Sequence, residues 1–273
     1  MVKGVCKMCM MEKDLVRSHL IPHAIYAYCR VNGATPVYVG NGIVSASDRE
    51  KQDYLLCLEC EDILSQGGET WVNPKLARMN PRSFPLYDML VKEPAGYADE
   101  TGGIYYARDN PEIEVDKLIH FALGIFWKAS VHSWTRNGTE PKIDLGEHSG
   151  ALRKWLRREA GLPHDMSLHI SISKPDRAQI ILLEPSPKAP RPWKTFWMHV
   201  PGVMFSLNVG PEIPVEMHML CFWRNSAHVI AVSDDITDAL ERRFAEQFVE
   251  SRKTKSYLSS KTKRANRTCR RKR

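Results

Sequence analysis

The chain has no apolar leader. Met1 to Met11 contains Lys3, Lys7 and two cysteines but no continuous apolar run, which argues against export. It also has no stretch that reads as a membrane span. The most apolar segment, Leu118 to Trp134, is broken by His120, Lys128, His132 and Ser133, and a span needs about 20 apolar residues. A cytoplasmic protein with no membrane partner is the expectation. Gly-rich phosphate loops, Walker motifs and Gly-x-Ser-x-Gly elbows are missing, so nucleotide binding and serine-hydrolase chemistry have no motif to rest on. Useful internal repeats are lacking too. Acidic residues are absent after Glu250, where 251–273 carries eleven Lys or Arg. Against a net charge of +7, 7 − 11 leaves −4 for 1–250, so the basicity belongs to the end of the chain. Poor in apolar residues, 251–273 reads as a disordered basic tail. Such a tail attracts polyanions by releasing their counterions, which makes nucleic acid an expected partner.

What remains is 273 residues with 43% hydrophobic content, enough for a sizeable core. Seven cysteines are present, four of them in two Cys-x-x-Cys pairs, Cys6/Cys9 and Cys57/Cys60. In a reducing compartment such pairs hold metal more often than disulfides. Two pairs make a closed tetrahedral set for structural Zn²⁺, with no open position for catalysis. A redox dithiol would need a single pair beside a βαβ pattern, and none is seen.

The expected fold class is α+β in four parts. Residues 1–72 form a cysteine module, with short strands at Val37–Val39 and Ile43–Val44 turning at Gly40-Asn41-Gly42. In it, a helix over Glu61–Ser65 stops at Gly67-Gly68. A Pro-rich connector spans 73–112, with a short helix at Pro85–Leu90. An α+β domain spans 113–250. It opens on a helix capped by Asp116 and a second helix over Gly150–Glu159. Mostly antiparallel strands follow at Ser167–Ser173, Gln179–Leu183, Phe196–Val200, Val203–Val209, Glu216–Trp223 and Val229–Val232. A last amphipathic helix runs from Ile236 to Tyr257, and the tail is 251–273.

Between the cysteine pairs stands Ser18-His19-Leu20-Ile21-Pro22-His23, and Glu61 directly follows Cys60. The order Cys-x-x-Cys, His-x-Ile-Pro, Leu-Cys-x-x-Cys and then a polar residue resembles zinc-stabilised HNH endonucleases, over 1–72 only. The resemblance implies a ββα-metal module with Cys6, Cys9, Cys57 and Cys60 on structural Zn²⁺. It implies His19 as general base and Glu61 as ligand of a catalytic Mg²⁺ or Mn²⁺. The implied activity is DNA phosphodiester hydrolysis, in nucleic-acid processing or foreign-DNA defence. Ser18 stands where that family carries an acid, and a hydroxyl is a weak ligand for Mg²⁺. Either Glu61, joined by His23, Asp62 or Glu69, supplies the metal site, or the fold is kept and cleavage is lost. Asn41 and Gln52 are candidate partners for the second His19 ring nitrogen. The alternative function is a non-catalytic zinc-finger-type module that binds nucleic acid or protein. The remaining histidines read as structural.

Overall fold

A computed structural model of the chain describes residues 2–30, 37–40, 43–46, 50–134, 143–177, 181–187 and 192–253. The turn at Asn41-Gly42 and the tail beyond Lys253 lie outside these residues, as does the start of the strand expected from Gln179.

Strand β1 (Val2–Val5) pairs antiparallel with β2 (Glu12–His19). On β2, Leu15 and Ser18 face inward. Helix α1 (His23–Tyr28) begins just after Pro22, whose fixed φ suits a helix start. The hairpin β3 (Val37–Gly40) and β4 (Ile43–Ala46) forms where the sequence places it. Strand β5 (Gln52–Cys57) returns against β2, with Leu15 opposite Cys57 and His19 opposite Gln52. Its last three residues are buried, and the chain turns at once into α2 (Leu58–Leu64).

The glycines expected to end this helix do not end it. A π-helical turn, Ser65–Glu69, carries the chain on into α3 (Thr70–Val72). The reason lies in the long helix α5 (Val115–Val131). A Cβ on Gly68 would lie 2.6 Å from the Lys117 carbonyl oxygen and the Phe121 nitrogen. Glycine here permits close helix approach rather than a turn.

The connector segment is only partly a connector. It holds the short pair β6 (Arg78–Met79) and β7 (Arg82–Ser83) and the expected helix α4 (Pro85–Leu90). It then supplies β8 (Tyr97–Ala98) and β9 (Gly102–Tyr106), which form one side of the main sheet. Gly102 lies so close to the Val232 carbonyl that a side chain would collide with it. Glycine thus lets a strand form where composition suggests a loop.

Helix α5 starts one residue before Asp116, with Glu114 at its N-cap. It is buried from Leu118 through Ser130, as a central helix must be when it is apolar on all sides. Helix α6 (His148–Leu156) packs beside it. The seven-stranded sheet adds β10 (Met166–Ile172), β11 (Leu183–Pro187), β12 (Lys194–Val200), β13 (Val203–Val209) and β14 (Val229–Ser233). Its order is β11-β12-β13-β10-β14-β9-β8, antiparallel except between β10 and β14. Successive residues of β13 serve opposite faces. Phe205 meets Phe121 of α5 with ring centroids 5.9 Å apart. Met204 packs with Ile236 and Leu240 of α8 (Asp235–Lys253).

The strand expected over Glu216–Trp223 is not one. Pro214 precedes a helix, α7 (Val215–Met219), and the chain then turns inward. There Cys221 and Phe222 are buried, and the Phe222 N–H donates to the Leu168 carbonyl. Apolar residues at a loop corner mimic the alternation of a strand. One hydrophobic core runs from Cys6 and Met8 through α5 to Val232. The cysteine segment is therefore seated on the sheet domain rather than standing apart from it.

Candidate metal centre and the His19 cluster

The two cysteine pairs meet. The Sγ atoms of Cys6, Cys9, Cys57 and Cys60 all lie within 4.8 Å of one another. Cys6-Lys7-Met8-Cys9 is closed by Met10 N–H to the Cys6 carbonyl and by Cys6 N–H to the Met11 carbonyl. The second pair sits where β5 passes into α2, and β2–β5 pairing brings the two ends together.

Cys9 and Cys57 sulfurs are 3.9 Å apart, far beyond a disulfide bond of about 2.05 Å. Bonds of about 2.3 Å to a tetrahedral ion would separate two sulfurs by about 3.8 Å. The donor set thus fits a thiophilic divalent ion. Cys6 is drawn down to about 7, since hydrogen bonds from the backbone of Cys9, Cys57 and Met8 outweigh the opposing effect of burial. Cys57 is pushed up to about 11 and Cys60 is also raised, first by burial and then by neighbouring thiols and side chains. Four thiols this close cannot all ionise together unless a cation compensates them.

His19 ends β2, about a strand's length from the cysteines along the sheet. Its Nε2 lies 3.1 Å from Glu50 Oε2, and the same oxygen lies 2.7 Å from His23 Nδ1. Arg30 contacts the other oxygen, Oε1, at 2.5 Å. Glu50 is well enclosed, its side chain 10% exposed. Burial would raise its carboxyl, but hydrogen bonds from His23 and Arg30 outweigh burial and hold it below the usual carboxylate range. Leu20 N–H donates to the Lys51 carbonyl at 2.9 Å, which pins the His19 and Glu50 segments to each other. The side chain that stands beside the His19 Nε2 is therefore Glu50. Gln52 is the strand-register neighbour of His19, and Asn41 lies outside the described residues.

A second residue absent from the sequence-based expectation acts on His19 from the sheet domain. Lys128 of α5, its side chain 2% exposed, donates to the His19 carbonyl at 2.7 Å and contacts Glu69 Oε1 at 3.2 Å. The signal for it is a lysine inside Ile125-Phe126-Trp127-Lys128-Ala129, since a charge there must be paired. Glu50 has no comparable signal, because its partners are 20 to 31 positions away along the chain.

Glu61 lies on α2 and does not join the cluster of His19, His23 and Glu50. Its Oε1 is buried without a hydrogen-bond partner among the described residues, and so is the Ser18 hydroxyl. An unpartnered buried carboxylate oxygen suits an oxygen-seeking cation, whereas a serine hydroxyl adds little to such a site. Among the described residues no helix is long and apolar enough to cross a membrane. Compared with protein families, with characterised proteins and with solved structures, the chain matches none.

Proposed function

We propose that residues 1–72 are a zinc-stabilised ββα unit of HNH type that hydrolyses DNA phosphodiester bonds. The observation that carries this reading is the placement of His19. It closes the first strand of a β2–β5–α2 unit, with its imidazole against an enclosed carboxylate and the four cysteines at the unit's other end. The Glu50 carboxylate stands 3.1 Å from the His19 Nε2, which favours the proton on that nitrogen and would leave Nδ1 as the basic one. Nδ1 takes a proton from water as the water oxygen bonds to phosphorus and the bond to the leaving oxygen breaks. Lys128 and the Leu20–Lys51 hydrogen bond hold the strand end in place. Cys6, Cys9, Cys57 and Cys60 would hold Zn²⁺, which fixes the loop and takes no part in the chemistry. Glu61 would hold Mg²⁺ or Mn²⁺, an ion that neutralises charge developing on the phosphate oxygens. The eleven cations of 251–273 add affinity for DNA irrespective of sequence.

The test incubates the full chain with supercoiled plasmid and Mg²⁺ or Mn²⁺, beside His19→Ala and Glu50→Gln. Nicking should fall by a factor of about 10² or more for His19→Ala. Glu50→Gln should lower it less, since a polar side chain of the same size still stands beside the ring. A wild-type chain that binds plasmid but never nicks it would leave a non-catalytic zinc module as the function.

A further inference from the structure

We infer that His19, His23 and Glu50 form a second metal site, distinct from the four cysteines, for a divalent transition ion such as Co²⁺, Ni²⁺ or Zn²⁺. The inference goes beyond the nuclease reading and does not require it. One ligand atom from each of the three residues lies within 4.8 Å of the other two. Two donors bound to one ion at about 2.1 Å stand about 3.0 to 3.4 Å apart, from octahedral to tetrahedral angles. The observed separations from Glu50 Oε2 are 3.1 Å to His19 and 2.7 Å to His23. Both separations lie within a few tenths of an ångström of that range, and the two imidazole donors, within 4.8 Å of each other, need only close on the same point.

The scaffold is already set. His19 terminates a strand, His23 opens α1 four positions later, and Leu20 to Lys51 pairing holds Glu50 beside both. Arg30 on Glu50 Oε1 leaves Oε2 free to act as a single-atom ligand and fixes the plane of the carboxylate, as hydrogen-bonded carboxylates around metals commonly are. Two imidazoles and one carboxylate select a transition ion over Mg²⁺ or Ca²⁺, which prefer oxygen donors throughout. Solvent reaches the cluster at His23, whose side chain is 65% exposed. One carboxylate and one guanidinium cancel, so a bound dication leaves the centre positive and able to take an anion such as phosphate. A bound ion occupies the ring nitrogen that Glu50 otherwise holds. Occupancy and the base role proposed for His19 therefore exclude each other.

The experiment titrates Co²⁺ into the metal-stripped full chain and counts ions at saturation. Thiolate-to-cobalt charge transfer reports the cysteine site, and weaker visible absorption without it reports the second. Wild type should bind at least two ions, one on the thiolates and a second on the histidine cluster. His23→Ala, which removes an exposed side chain, and Glu50→Gln should each lose the second ion or weaken it at least tenfold, with the thiolate band unchanged. A single ion per chain in wild type overturns the inference. So does a second ion held equally by wild type, His23→Ala and Glu50→Gln.

Discussion

Lys128 brings an ammonium into the core to reach a backbone carbonyl and a carboxylate. Its three donors must be satisfied there, because an unpaired buried charge is costly. Lys128→Met should destabilise the chain by about 3 kcal/mol, mostly by leaving Glu69 and the His19 carbonyl without a partner. Urea denaturation checks this. Lys128→Met with Glu69→Gln should be less destabilised than the sum of the two single variants, because the pair is removed together. Full additivity would show that Glu69 is not the partner that matters. At this scale the sequence was informative in uneven fashion. Four cysteines at Cys-x-x-Cys spacing announce a site by themselves, since a turn places both thiolates on one side. Glu50 announces nothing, because only β2–β5 pairing sets it against His19.

Helices and strands follow from local pattern where the pattern is long. Helix α5, strands β10, β12 and β13 and α8 fall close to where periodicity puts them, whereas β11 begins at Leu183, the residue at which the strand expected from Gln179 should end. The misplaced elements are short or rich in glycine. Gly67-Gly68 reads as a stop but continues into a π-turn, since α5 approaches too closely for any side chain. Gly68→Ala should therefore destabilise by about 1 to 3 kcal/mol, the usual cost of forcing atoms into a packed contact. Gly150→Ala is the control. Gly150 lies in α6 with nothing within 4 Å of its added Cβ, so the substitution should stabilise by about 0.5 to 1 kcal/mol. Thermal melts of the two variants should move in opposite directions. A pair of equal shifts would mean that helix contact does not explain Gly68.

Across the whole molecule, the continuity of the core makes stability collective. Cys6, Met8 and Leu20 share one cluster with Phe205 and Val232. Arg153 also donates to the Met8 carbonyl. Stripping Zn²⁺ from the zinc-loaded chain with a chelator should thus lower Tm of the entire chain in one transition. Two separated transitions would show the cysteine segment to be independent. Acid should act through buried histidines. His199 is fully buried and lowered to about 4 by burial, which its hydrogen bond to the Ile181 carbonyl only partly offsets. Burial likewise lowers His169 and His120. A histidine depressed in the folded state takes up its proton first in the unfolded state. Its contribution is intact above about pH 6.5 and is lost as pH falls toward 4, by about 3 kcal/mol for His199. His199→Asn should give a shallower decline between those limits in urea titrations, even if it is less stable at neutral pH. An unchanged slope would remove His199 from the acid response.

What the sequence determined alone is what short-range chemistry can encode: the thiolate pairs, the long amphipathic and apolar helices, the strand alternation and the charge of the last residues. What only the tertiary structure decided is which distant groups meet. Glu50 and Lys128 reach His19, the segment after 73 lends strands to the main sheet, and Pro214 with a buried Phe222 turns an apparent strand into a helix and a corner. The physical reason is that each of these rests on contacts across tens of residues. Such contacts carry no local period, and they form only when hydrophobic burial around α5 draws the elements together.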